Sequence, residues 1–552
     1  MAGALLVACR VDALLEFEDL DGEVAVEVSP PQYFIPERVL TMGSARAPRG
    51  DERVSAAGLR EHVLRLSHDS MRGRAPLSEG ERAATSYVVS AFSAIGLAPG
   101  GDDGGWTQGV PVRRVSATDT RVSLSFVDGE GAKPRGRLAR ATTTALVPAG
   151  SVELFGGRAG KHEINATLAF AGYGVEATAD LWNDYRDVDL SDAIAVVLAG
   201  APPVEDARLS SAEASLHGRD ARKIEAARRA GARGCLIVTT DDAFSPRPLH
   251  DARGDGPGVL AAHVTTDFAS ALASRSGSGY SEWLSRARAP GFHAIKLPVA
   301  LVGEVELAVE QGLTPNVVGV LAGRSPELPP VVVTAHWDHR GVIPGRGLST
   351  DAIFNGAVDG ASGLAAMLGL AYELKQQLAG EAALRSIVFV ATTAREHSRL
   401  GSRYFLEHQQ GVSFALDLGS MRVNGDPGAI VLAGATRIRE TPTLLAGISA
   451  PAGTRLHARA LETRFSETDA WTFASAGLPA VYALDELFTQ DKAADGLPEF
   501  VRVAGTVNDE FDHVWSFSAL EEDVRVLAEL VRAVADLERA PSIADGARDS
   551  DE

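Results

Sequence analysis

The sequence predicts an α/β protein, a doubly wound mixed sheet carrying a second, β-rich domain inserted ahead of its main part. Three observations support this. From Asn316 onward short apolar runs alternate with helical segments, the pattern that builds a sheet covered by helices on both faces. Between 151 and 305 the chain has strands, a helix and loops of its own, as a separate core requires. At 552 residues, 45% of them apolar, it is too long for one compact core and has ample material for several.

In chain order, residues 1–53 form an N-terminal extension whose apolar start reads as chance before it reads as the remnant of a signal, and 54–150 begin the main domain. Leu59, Val63 and Leu66 lie at helical spacing before Arg72-Gly73-Arg74-Ala75-Pro76 interrupts them. A second helix carries Tyr87, Val88, Ala91, Phe92 and Ile95, and Gly96 closes it. Weak alternation over 105–150, as in Val122-Ser123-Leu124-Ser125-Phe126, reads as strands. In the insert, 151–305, a strand ending in a glycine turn is expected over 166–174 and further strands at 194–198 and 235–238, with a helix from Arg219 to Ala230. The main domain resumes over 306–541. Its strands are expected at 317–320, 331–333, 387–390 and 414–416, and its helices at 362–378 and 401–407. Residues 542–552 are an acidic tail read as disordered.

Composition excludes several functions. Lys and Arg total 53 against 73 Asp and Glu, a net charge of −20, and such a surface repels phosphate backbones, so no nucleic-acid partner is expected. Two cysteines, Cys9 and Cys235, make neither a disulfide framework nor a thiolate zinc site. Leu6-Val7-Ala8-Cys9 resembles a lipoprotein lipobox, but it lacks a basic stretch and a full apolar stretch before it. A lipid on Cys9 is the one route to a membrane that the sequence suggests.

Polar residues follow several predicted strands. His336 and Asp338 come after 331–333, Glu396 after 387–390 and Asp417 after 414–416, while Asp359 sits in the turn 355–363 that opens a helix. Each alone reads as a cap or a solvated residue. Together, at the carboxyl ends of neighbouring strands, they point to one cleft and a divalent ion such as zinc.

These strings resemble the co-catalytic zinc aminopeptidases that carry an inserted protease-associated domain. The matching residues are His336-Trp337-Asp338-His339, Gly356 to Gly363, Arg395-Glu396 followed by Leu400-Gly401-Ser402, and Asp417-Leu418. Gly172-Tyr173-Gly174, with Arg222-Lys223 to Gly231-Ala232, resembles the protease-associated domain. The resemblance implies hydrolysis of N-terminal peptide bonds, a location outside the cytoplasm and two zinc ions. Asp359 would bridge the ions, His336 and Asp417 would complete one site, and Glu396 would serve the other. Asp338 would hydrogen-bond His336 and fix its tautomer.

Two positions depart from that pattern. Where the family has its general-base Glu, this chain has Arg395, which stays protonated. Counting back from Asn508-Asp509-Glu510-Phe511-Asp512 places the family's zinc-binding His at Gly505. His513, His397, Asp469 and Asp512 are available as stand-ins, but each reads more simply as a surface residue, and His339 as structural. The expectation is a silent or strongly impaired homologue that holds at most one zinc ion and binds a peptide or protein in its cleft. The alternative is an active metallo-aminopeptidase with compensating residues.

Overall fold

The computed structural model describes residues 54–118, 123–128, 144–147, 151–177, 182–191, 193–203, 209, 211–239, 249–253, 259–343, 352–448, 455–490 and 496–544. All of them fall within one compact unit, Gly50–Glu552. Cys9 and most of the N-terminal extension lie outside the described residues.

The main sheet is built on four parallel strands, in the order Ala480–Asp485, Phe414–Leu418, Val331–His336 and Ile387–Thr392. Beyond Ala480–Asp485 lies antiparallel Ala429–Ala433, with Arg455–Arg459 parallel to it at the edge. Beyond Ile387–Thr392 runs the C-terminal part of Ile295–Leu321, antiparallel, which pairs in turn with Thr107–Ala117. All four central strands are apolar for most of their length and buried throughout, because helices shield both faces.

The helix Ala361–Gln377 is rich in Ala and Leu and almost wholly buried, so propensity and packing agree. Ala56–Leu66, Glu79–Ile95 and Ser518–Ala535 pack around it. Ser78 caps Glu79–Ile95 at its start, and Gly96, at φ 84°, closes it in the left-handed conformation. A second group, Leu400–His408 and Asp469–Ser475, packs together elsewhere on the sheet.

The insert has cores of its own. Strands Gly160–Phe170, Ala193–Leu198, Gly234–Val238 and Leu260–Val264 pair in parallel. Their alternate residues feed different clusters, Leu168, Phe170, Val196 and Leu236 in one, Ala169, Val197, Cys235 and Ile237 in the other. Both faces are therefore buried, and helices Asp220–Arg229 and Thr266–Arg275 belong to this part of the chain.

Two features differ from expectation. The boundary at 305 falls inside one unbroken strand, Ile295–Leu321, whose first half pairs with 123–128 and 160–170 and whose second half enters the main sheet. The tail is tied down at its start: Ser542 bonds Glu440 twice and Ile543 bridges Ile438. Residues 545–552 lie outside the described set.

Candidate active site

The predicted residues converge at the carboxyl ends of the parallel strands. His336 ends its strand buried, with Nδ1 2.9 Å from the Asp338 carbonyl oxygen and Nε2 3.7 Å from Asp359 Oδ1. Asp338 meets the imidazole mainly through its backbone; its carboxylate Oδ1 lies 3.7 Å away and accepts instead from the Arg395 N–H at 3.4 Å. The expected carboxylate contact is thus replaced by a carbonyl one. Burial and the Arg395 charge oppose a proton on His336, yet Asp338 and Asp359 outweigh them and push its pKa up to about 10.

Asp417 is buried at the end of its strand. Its Oδ1 accepts from Thr334 Oγ1 at 2.9 Å and its Oδ2 from the Ala470 N–H at 3.3 Å. Burial and then Asp469 raise its pKa to about 6. Asp359 moves the other way: burial raises it, but the His336 hydrogen bond and the charges of His339, His336 and Arg395 hold it well below the ordinary value.

Arg395 turns inward, its side chain 16% exposed, with Nη1 3.2 Å from Glu396 Oε1. Its charge also bears on Tyr482, Asp359 and Asp417, which together outweigh the cost of burial. A permanent cation therefore sits among the carboxylates that the resemblance assigns to metal. The backbone around it is strained, with Ala394, Ser398 and Arg399 all at positive φ, between 50° and 61°.

Gly505 faces the same carboxylates. A Cβ built there would lie 2.7 Å from Asp359 Oδ2. The residue's φ of 76° is one that side chains rarely adopt. Asp509, fully buried, joins the two loops, accepting from the N–H groups of Val358, Asp359 and Gly505 at 2.8, 2.9 and 2.8 Å.

The stand-ins are occupied elsewhere, and Asp469 and His397 are buried, not at the surface as expected. Asp469 accepts from Thr392 and Ser402 hydroxyls, both at 2.6 Å. His397 Nδ1 accepts from the Leu249 N–H, Asp512 accepts from the Val514 N–H, and His513 is exposed beside Arg60. His339 is different: it is buried, both ring nitrogens lack partners, and burial lowers its pKa to about 3.

Sequence reading missed three contributors. Tyr482 lies on a strand that was not anticipated, and its hydroxyl packs over Gly419 and beside Arg395. Arg340 donates to the Gly505 carbonyl at 3.3 Å. Arg74, taken only as part of a breaker, is fully buried and donates to the carbonyls of Trp337, Leu66, Asn355 and Gly356, bracing the turn that carries Asp359. An arginine in the Gly/Pro-rich stretch after the first helix was the available signal.

Residues 316–515 match the family model described as Peptidase family M28. Over these residues the chain is similar to that family. The M28 segment thus contains every predicted site residue. Among solved structures, the aminopeptidase from Aneurinibacillus sp. strain AM-1 matches with a TM-score of 0.53 at 17% identity, over 90% of this chain and 97% of its own. A peptidase M28 precursor from Shewanella amazonensis SB2B gives 0.50 at 16%, over 89% and 98%. At such identities the likeness is one of fold. No curated protein matches the chain.

The M28 resemblance implies a zinc centre at this site. Among the described residues no group of three or more His, Cys, Asp or Glu side chains is placed to hold a metal ion. The reasons are visible: Arg395 stands among the carboxylates, Asp417 is spent on Thr334 and Ala470, and Gly505 supplies no ligand. As arranged, the site does not fit a two-zinc centre.

Proposed function

We propose that this chain is a zinc-aminopeptidase homologue in which hydrolysis of N-terminal peptide bonds is lost or strongly impaired. Its cleft binds a peptide or protein ligand. The observation that carries this reading is Arg395, a guanidinium held among Asp359, Glu396 and Asp417 where the family keeps a general-base Glu. A guanidinium stays protonated and takes no proton from water. General acid–base help contributes about two to four orders of magnitude in rate, so its loss alone is crippling. Gly505 adds to this, since Asp359 and Glu396 are too few donors for a tight second ion. An ion held by His336, Asp359 and Asp417 would require Arg395 to swing out, so we put the zinc content at one ion at most. By the same resemblance the insert is a protease-associated domain walling the cleft, and the protein works outside the cytoplasm. Among the described residues no helix is long and apolar enough to cross a membrane.

A competing reading, an active enzyme with compensating residues, has one observation on its side. His339 is buried with two unpartnered nitrogens, and the Asp359 charge bears on it. One experiment decides: metal content by inductively coupled plasma mass spectrometry, alongside turnover of a panel of aminoacyl chromogenic substrates. The expected result is one zinc or none, without turnover. Two zinc ions per chain with turnover would overturn the proposal.

A further inference from the structure

A second group of arginines lies where the insert meets the M28 segment. Arg219, at the start of the insert helix Asp220–Arg229, and Arg399, in the loop after Ile387–Thr392, both donate to the carbonyl oxygen of Ser466, each at 2.7 Å. Two guanidinium groups on one carbonyl are an expensive arrangement, since the like charges repel at close range. Among the described residues neither has a carboxylate within ion-pair distance, and Arg399 Nε is buried with no partner. The surrounding charges relieve them only in part. Arg399 has its pKa lowered to about 10, first by burial and then by the charge of Arg219, with Arg395 and Arg403 adding to the effect. Asp469, which bears on Arg399, spends its oxygens on Thr392 and Ser402. Glu467, the carboxylate that Arg219 feels most, is itself shared with Arg395 and Arg464.

We propose that Arg219 and Arg399, joined at the Ser466 carbonyl on the insert side of the cleft, form a recognition site for a carboxylate side chain of a bound peptide. The site rests on the reading of the cleft as a peptide-binding one, and it gives that cleft a preference for acidic ligands. The guanidinium fork suits a carboxylate because two N–H groups meet its two oxygens in one plane. The ligand would also bring the two arginines an ion-pair partner, which they lack among the described residues. One arginine comes from each part of the chain, so the ligand would bridge the insert and the M28 segment.

The test is isothermal titration calorimetry of the full chain with the tetrapeptides Glu-Ala-Ala-Ala, Ala-Glu-Ala-Ala and Ala-Ala-Glu-Ala, each paired with its glutamine counterpart. At least one glutamate peptide is expected to bind about tenfold or more tighter than its pair, as a charge-assisted contact gives. That margin should shrink in Arg219→Gln and in Arg399→Asn. Either variant leaves the other arginine on Ser466, and asparagine tolerates the left-handed backbone at 399, φ 57°, so both are expected to fold, as thermal unfolding will check. Inorganic phosphate competing in the wild type, with no glutamate preference, would show a free-anion site and overturn the peptide proposal. Equal affinity within every pair, or no binding of any peptide, would overturn it as well. Cleavage of the peptides during titration would sink the impaired-enzyme reading while leaving the arginine site standing.

Discussion

Removing the Arg395 guanidinium would leave Asp359, Glu396 and Asp417 facing one another without their inward cation. Arg395→Ala is therefore expected to lower stability by about 3 kcal/mol, the usual scale for stripping one partner from a buried charge group, read as a fall in denaturant midpoint. Restoring the family's chemistry is harder than a count of residues suggests. The double variant Arg395→Glu with Gly505→His should bind zinc and gain hydrolysis over the wild type. The histidine, however, enters at φ 76° with its Cβ against Asp359 Oδ2. Backbone strain of this kind costs about 1–3 kcal/mol, so the variant should melt below the wild type until zinc is added. No gain in zinc or rate would reject the assignment of position 505. Asp523 gives a pH test. It is buried, both oxygens lack partners, and burial first, then the Asp485 charge, raises its pKa well above normal. For an acid whose folded pKa is raised, the unfolded chain ionises first. The stability it contributes is present at low pH and drains away as pH rises from about 4 upward. Asp523→Asn should match the wild type near pH 4 and exceed it by about 1 kcal/mol or more at pH 7. A constant difference across that range would reject the account. Residue types at 336, 395, 396 and 417 were legible because each follows an expected strand, and at 359 because it sits in a turn that opens a helix; their hydrogen bonds were not, since most of these join positions far apart in sequence.

Two clamps hold the loops that carry the site. Arg74 gathers four carbonyls from the turn 355–356, from Trp337 and from the first helix, and Asp509 gathers three N–H groups. Asp509→Ala would orphan those donors and is expected to cost about 3 kcal/mol or more, with faster amide exchange at 358, 359 and 505. Unchanged exchange there would show that other contacts set the turn. At this scale the sequence was informative where periodicity is strong. The helix expected at 362–378 is Ala361–Gln377, and the strand expected at 387–390 is Ile387–Thr392. Beyond Leu418 the reading stopped, and Ala429–Ala433, Arg455–Arg459, Ala480–Asp485 and Ser518–Ala535 were not anticipated. The first three are only five or six residues long, too short for a period to be distinctive. Tyr482 went unnoticed with the strand that carries it.

Across the whole molecule, one strand connects what the sequence divided. Ile295–Leu321 is hydrogen-bonded to the insert along its first half and to the main sheet along its second. A boundary at 305 was reasonable from composition, because the texture of the chain changes there while its backbone does not. With no flexible connector at this joint, unfolding followed at Trp283 in the insert core and at Trp337 in the main core should trace one coincident transition. Two separated transitions would mean that the halves melt apart. The same strand bears on how the protein could have arisen and how it can be altered. A module hung on loops can be swapped between relatives like a cassette. Here the insert's strand is also a rail of the neighbouring sheet, so any graft must carry its register across intact, and a single-residue slip would exchange the two faces of 317–321 and disturb both halves at once.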